Sequence, residues 1–203
     1  MREDCFVIHK ARAISRAFEA ELLEWVESMD DYRGGVANEG RSTAGVREQK
    51  WYQESGCYFD PSWKKHFARW ESHPYHDRLR AFQARMQETV DPLCRERGLP
   101  AHPRFNSLLL NKYRNGHDFI RPHSDSQRAF GDEPLIAVIS LGDTRTFRYT
   151  SKTNPDDTGD VELRAGSLLL MAGKMQQHYT HEIVRDPAKT RVRYSLTWRH
   201  FIE

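Results

Sequence analysis

Two histidines and one carboxylate are the residues best placed to do chemistry. His123 and Asp125 lie two apart in His123-Ser124-Asp125, so on a strand both side chains project to one face. A later histidine, His181, completes a set of two histidines and one carboxylate. That set is the facial arrangement which holds non-haem Fe(II) and leaves three coordination positions open. The His-x-Asp spacing alone carries little weight in a chain with 10 histidines. His178 sits three residues before His181. On a strand the two need not share a face, so one of them is expected to bind metal.

The segment Arg191-Val192-Arg193-Tyr194-Ser195-Leu196-Thr197-Trp198-Arg199 alternates strictly. Arg193, Ser195, Thr197 and Arg199 therefore share one strand face, and Tyr194, Leu196 and Trp198 the other. A polar wall inside a barrel costs on the order of several kcal/mol unless each group finds a partner. A dicarboxylate supplies such partners, and the planar guanidinium fork pairs with a carboxylate through two hydrogen bonds. Arg191 has the same parity and serves this argument equally well. Asn111 and Tyr113 form another i, i+2 pair. Read alone they are a turn-entry asparagine and a core tyrosine; beside the arginines they extend the polar wall. Metal set and arginines together suggest an oxygenase that uses Fe(II) and 2-oxoglutarate.

These residues need a β framework. From Phe105 onward the pattern predicts strands near 105–113, 119–123, 135–141, 145–150, 161–164, 167–172, 179–184 and 191–200. Short strands separated by turn residues suggest a sandwich or jelly roll. Apolar residues at helical spacing predict helices over 14–29 and 76–96, with Pro92 kinking or ending the second. Residues 33–60 are broken by glycines and carry Arg41, Arg47 and Lys50, which reads as a long loop or irregular hairpin. Residues 153–160 read as a solvated turn. The expected class is α+β, with two N-terminal helices bracing one sheet. We expect a single domain over 1–203, with helices and a substrate lid in 1–104 and a jelly-roll core in 105–203.

Composition bounds the alternatives. The 203 residues suffice for one domain, and 38% hydrophobic with 30% charged residues suits a soluble globular enzyme. A net charge of +2 gives no argument from charge for nucleic-acid binding. The odd cysteine count, Cys5, Cys57 and Cys94, favours free thiols in a reducing compartment. From the charged start Met1-Arg2-Glu3-Asp4 we expect no signal peptide, and no apolar run is long enough to span a membrane. The expected location is the cytoplasm, or the nucleus if the source has one, and the expected state a monomer.

The chain from Phe105 to Arg199 resembles the AlkB family of 2-oxoglutarate oxygenases. The matching pieces are Asn111-Lys112-Tyr113 for N-x-Y, His123-Ser124-Asp125 for H-x-D, His181, and Arg193-x-Ser195-x-Thr197-x-Arg199 for R-x-N-x-T-x-R. The resemblance implies a double-stranded β-helix core and use of Fe(II), 2-oxoglutarate and O2 to demethylate alkylated bases. His123, Asp125 and His181 would be the metal ligands. Asn111, Tyr113, Arg193, Ser195, Thr197 and Arg199 would line the co-substrate site, with Arg193 and Tyr113 at the distal carboxylate. The segment Phe105-Asn106-Ser107-Leu108-Leu109 with Tyr113-Arg114-Asn115 looks closest to members acting on single-stranded DNA or RNA. Ser195 stands where the family usually has asparagine, and a water is expected to fill the gap. Ser126-Gln127 stands where repair members often place acidic residues near the base.

Substrate contacts are expected from Arg41, Arg47, Lys50, Trp51, Tyr52 and Tyr58, since aromatic residues between basic ones suit a flipped base and its phosphates. Bland alternatives are packing of Trp51 and Tyr52 on the barrel and a solvated charged rim. Arg145 and Arg148 could line the mouth. Rival readings are the same chemistry on a protein or small metabolite, a non-catalytic nucleic-acid-binding module, and, more distantly, a cupin-type barrel.

Overall fold

The computed structural model describes residues 1–34, 47–55 and 71–202. Strands β1 (Cys5–Lys10), β2 (Arg33–Gly34), β3 (Glu48–Gln53), β4 (Ser107–Tyr113), β6 (Ile136–Gly142), β9 (Leu168–Gly173) and β11 (Arg193–Arg199) form one sheet in the order β1-β9-β6-β11-β4-β3-β2. Strands β5 (Ile120–His123), β7 (Arg145–Ser151), β8 (Thr158–Leu163) and β10 (Tyr179–Ile183) form a second sheet in the order β5-β10-β7-β8. Helices α1 (Arg16–Glu27) and α2 (Asp77–Glu96) cover the larger sheet, and two single-turn helices, α3 (Gln127–Phe130) and α4 (Met175–His178), lie between strands. Among the described residues no helix is long and apolar enough to cross a membrane.

Strand parity sorts the side chains. In β11, Tyr194, Leu196 and Trp198 join Leu108, Leu110 and Ile139 in a core closed by Phe18, Leu22, Trp25, Phe82, Met86 and Val90 from the two helices. Arg193, Ser195, Thr197 and Arg199 are buried on the opposite face, toward the second sheet. The helices thus brace one sheet, as expected, and their termini follow from capping. Ser15 accepts from the Phe18 amide at 3.2 Å, and His76 Nδ1 accepts from the Leu79 amide at 3.3 Å.

Several expectations need correction. Helix α2 runs through Pro92 to Glu96. Pro92 lies on the exposed side, where solvent can serve the carbonyl left without its helical donor. The segment read as a loop contributes β3, which pairs antiparallel with β4 from Glu48↔Lys112 to Gln53↔Ser107. β1 was not expected; it pairs with β9 at the far edge. Both strands come from the part of the chain assigned to helices and lid. β8 begins at Thr158, inside the segment read as a turn. Cys5 and Cys94 are buried free thiols, while Cys57 lies outside the described residues.

Candidate active site

A cavity of about 290 Å3 lies between the two sheets, and His123, Asp125 and His181 line it. Strand pairing places the histidines, because His123 is the register partner of His181. Their rings lie 4.3 Å apart, centroid to centroid. Asp125 lies two residues past the end of β5, and His123 Nε2 is 3.8 Å from its Oδ1. One ligand atom from each of the three residues lies within 4.8 Å of the others. His123 Nδ1 is 2.9 Å from the Arg121 carbonyl, which holds the proton on Nδ1 and leaves Nε2 as a lone-pair donor. The buried Nδ1 of His181 has no hydrogen-bond partner among the described residues.

Electrostatics prepare the set for a cation. Burial pushes the His181 pKa down to about 3, and the neighbouring His123 adds to the effect. Burial also lowers His123, so both rings are neutral near pH 7. Burial alone would raise Asp125, but Arg199 and the two histidines outweigh it and hold the carboxyl at about 2. Two neutral imidazoles and one carboxylate suit a divalent metal such as Fe(II). His178 ends α4 and is outside this group.

The other end of the cavity is cationic. Arg193 is 1% exposed, and its guanidinium lies 4.9 Å from the Tyr113 ring centroid. One amino group donates to Ser140 Oγ at 2.9 Å. Its Nε and other amino group, and the Tyr113 hydroxyl, are buried without partners among the described residues. A buried guanidinium with open donors next to an open hydroxyl fits the carboxylate of a bound acid. Asn111 Nδ2 donates to Ser195 Oγ at 3.2 Å, so the serine that stands where the family has asparagine keeps a hydrogen bond to Asn111. Thr197 lines the cavity beside them. Arg191, the alternative by parity, is excluded: its side chain is 83% exposed and pairs with Asp143.

The expected substrate residues divide. Arg47 reaches into the cavity, where its Nε donates to Asn111 Oδ1 at 2.6 Å. Trp51 is 1% exposed and packs against Phe201, Phe130 and Leu109. Tyr52 faces the opposite way, into the helix-covered core beside Trp25 and His76. Neither ring presents a free face, so the barrel-packing alternative holds for both. Lys50 pairs with Asp31 at 2.6 Å. Arg148 projects outward, because Phe147 takes the inward parity, and it forms a two-pronged pair with Asp160 at 2.7 Å. Arg145 is inward but not at the mouth; it donates to the carbonyls of Asn115, Asp118 and Val184. Arg41 and Tyr58 lie outside the described residues. The sequence reading missed Ser140, a lone polar residue in the apolar run of β6 that lies opposite Ser195 and accepts from Arg193, and Gln176, which carried no signal.

The 2OG-Fe(II) oxygenase superfamily matches residues 10–199. The chain is 32% identical over 178 residues to human alpha-ketoglutarate-dependent dioxygenase alkB homolog 3, covering 76% of this chain and 62% of that protein. It is 31% identical over 118 residues to DNA oxidative demethylase ALKBH2 of Arabidopsis thaliana, covering 47% of this chain and 38% of that one. The chain thus spans less than two thirds of the length of these relatives. By shape it is similar to OsALKBH1, with a TM-score of 0.67 at 16% identity over 98% of both chains. It is also similar to a Pseudomonas putida prolyl-4-hydroxylase, with a TM-score of 0.59 at 19% identity over 97% of this chain and 92% of that one. The superfamily match runs from the end of β1 to the end of β11 and takes in both ends of the cavity, and the chain belongs to the 2OG-Fe(II) oxygenase superfamily.

Proposed function

We propose that this protein removes alkyl groups oxidatively from bases in nucleic acid, with single-stranded DNA or RNA as the preferred form. The observation that carries the reading is the pairing of a metal-ligand set and an acid-binding wall in one cavity. His123, Asp125 and His181 converge at one end, and the open donors of Arg193 and Tyr113 lie in the wall. In this reading the three ligands hold Fe(II), and Arg193 and Tyr113 hold the distal carboxylate of 2-oxoglutarate. Fe(II), 2-oxoglutarate and O2 supply the oxidising chemistry: the acid leaves as succinate and CO2, an N-methyl group gains one oxygen atom, and the hemiaminal releases formaldehyde.

The chain's own residues orient and shield. Arg199 fixes the Asp125 carboxylate through a 2.6 Å hydrogen bond. Asn111 and Ser195 hold each other, and Arg47 extends that network toward His123. Apolar side chains of Leu109, Val138, Phe147 and Met171 keep much of the cavity dry. Among the described residues, Arg47 is the expected substrate cation that lines the cavity, and it suits a phosphate or a polar base edge. The names of the relatives, a dioxygenase and a DNA demethylase of the AlkB group, support a nucleic-acid substrate. A single strand avoids the cost of unpairing the base, about a few kcal/mol.

A small-molecule substrate is the second reading. Ser126, at the cavity wall, caps α3 through a 3.3 Å bond to the Ala129 amide and brings no negative charge for a cationic methylated base. Mass spectrometry of methylated oligonucleotides and free methylated nucleosides, after incubation with Fe(II), 2-oxoglutarate and ascorbate, separates the readings. Loss of one methyl mass from oligonucleotides, suppressed by salt, supports the proposal. Equal turnover of nucleosides without salt dependence supports the alternative.

A further inference from the structure

We infer that Gln176 is a positioning residue that sets the carboxylate of Asp125 over the two histidines. The inference rests on reading His123, Asp125 and His181 as metal ligands. Pairing of β5 with β10 puts His123 opposite His181, and continuing that register would set Asp125 opposite Tyr179. The ladder does not continue. Ser124 Oγ donates to the Tyr179 carbonyl at 2.8 Å, using the acceptor that the ladder would have offered. The Asp125 amide then donates to Gln176 Oε1, at 2.8 Å. Two side-chain hydrogen bonds thus replace strand pairing at the point where the chain must turn its carboxylate inward.

Gln176 is suited to this by its own fixation. It is 2% exposed, on the single turn of α4, five residues before His181. Its backbone carbonyl accepts from Lys152 Nζ at 2.8 Å, and its side-chain nitrogen lies 3.6 Å from Met171 Sδ. The amide orientation follows from chemistry, since an N–H donor at Asp125 needs the oxygen and the thioether is only a weak acceptor. The residue is neutral, so it serves the Asp125 backbone without competing for the metal. Asp125 is then fixed at both ends: the backbone by Gln176, the side chain by Arg199. One short segment, α4 with β10, brings His181 and also holds the other arm of the ligand set.

Mn(II), a redox-inert stand-in for Fe(II), tests this by calorimetry on the whole chain, alongside melting of the metal-free protein. Gln176→Met removes the acceptor at similar volume and should weaken Mn(II) binding about tenfold, the lower end for loss of an outer-shell partner. Gln176→Glu keeps an oxygen at the same reach and should bind far closer to wild type. Gln177→Met, one residue on and bonded to the Asp132 carbonyl instead, should leave Mn(II) affinity unchanged. Equal losses in Gln176→Met and Gln176→Glu would assign the effect to packing and overturn the inference, as would wild-type affinity in Gln176→Met. Hydrogen exchange on the metal-free wild-type protein needs no variant: the Asp125 amide should exchange more slowly than exposed loop amides, and free exchange would also overturn the inference. Failure of wild-type protein to bind Mn(II) at all would instead remove the ligand reading beneath it.

Discussion

Arg199 Nε donates to Asp125 Oδ2 at 2.6 Å, and both side chains are 7% exposed. The pair leaves Oδ1 of Asp125 facing His123. Truncation to Arg199→Ala would bury the carboxylate without its charged partner, at a cost of about 3–5 kcal/mol. We expect that variant to lose most of its affinity for divalent metal, and Arg199→Lys, which keeps charge without the fork, to recover part of it. Calorimetric titration with Mn(II) checks both.

Arg193 and Arg191 share strand parity, yet one is buried in the cavity and the other is at the surface. Arg193→Ala should raise the KM for 2-oxoglutarate at least tenfold, with the KM for the methylated substrate little changed. Arg191→Ala should leave both constants as they are. Steady-state kinetics with 2-oxoglutarate varied would show the strand register to be wrong if the two effects were exchanged.

Trp51 packs edge-on against Phe201, with ring centroids 5.9 Å apart. Trp51→Ala should destabilise the fold by about 3–5 kcal/mol, the range for emptying a buried aromatic site. Urea unfolding measures that loss. A stable Trp51→Ala protein with weakened oligonucleotide binding would restore a stacking role for the ring.

Asp118 is buried and accepts three hydrogen bonds from Arg114, from the backbone amide at 2.9 Å, Nε at 2.9 Å and an amino group at 2.8 Å. Burial alone would raise its pKa, but the Arg114 bonds outweigh burial and lower it from the ordinary 3.8. A carboxyl depressed in the folded state contributes stability that is complete above its unfolded pKa, near pH 4, and lost as pH falls through the folded value. Asp118→Asn should therefore be less stable at pH 7, by about 1–3 kcal/mol. It should also lose less further stability than wild type below pH 4. Unfolding curves at pH 7, 4 and 3 test the sign.

Much of the site was legible from local periodicity. The two-residue repeat of a strand depends on backbone geometry alone, so Arg193, Ser195, Thr197 and Arg199 could be assigned one face before any partner was known. Asp125 was not placed this way: it lies past the end of β5, where hydrogen bonds of Ser124 and Gln176 replace strand pairing. Helices α1 and α2 were equally plain, since an amphipathic stripe and its caps are local features. The choice of His181 over His178, and of Arg193 over Arg191, could not be read this way: it depends on where β10 and β11 begin, and neighbouring strands set that. Trp51 and Tyr52 misled because an exposed loop and a strand covered on both faces can have the same composition. Only the insertion of β3 beside β4, under α2 on one side and Phe201 on the other, buries both rings. Gln176 is 51 residues from Asp125 in sequence, and its hydrogen bond exists because two strand ends meet. The types and spacing of residues along the chain thus determined which groups could bind metal and acid. The tertiary structure decided which of them face one cavity, because burial, register and the partners of each polar atom are properties of the assembled sheets.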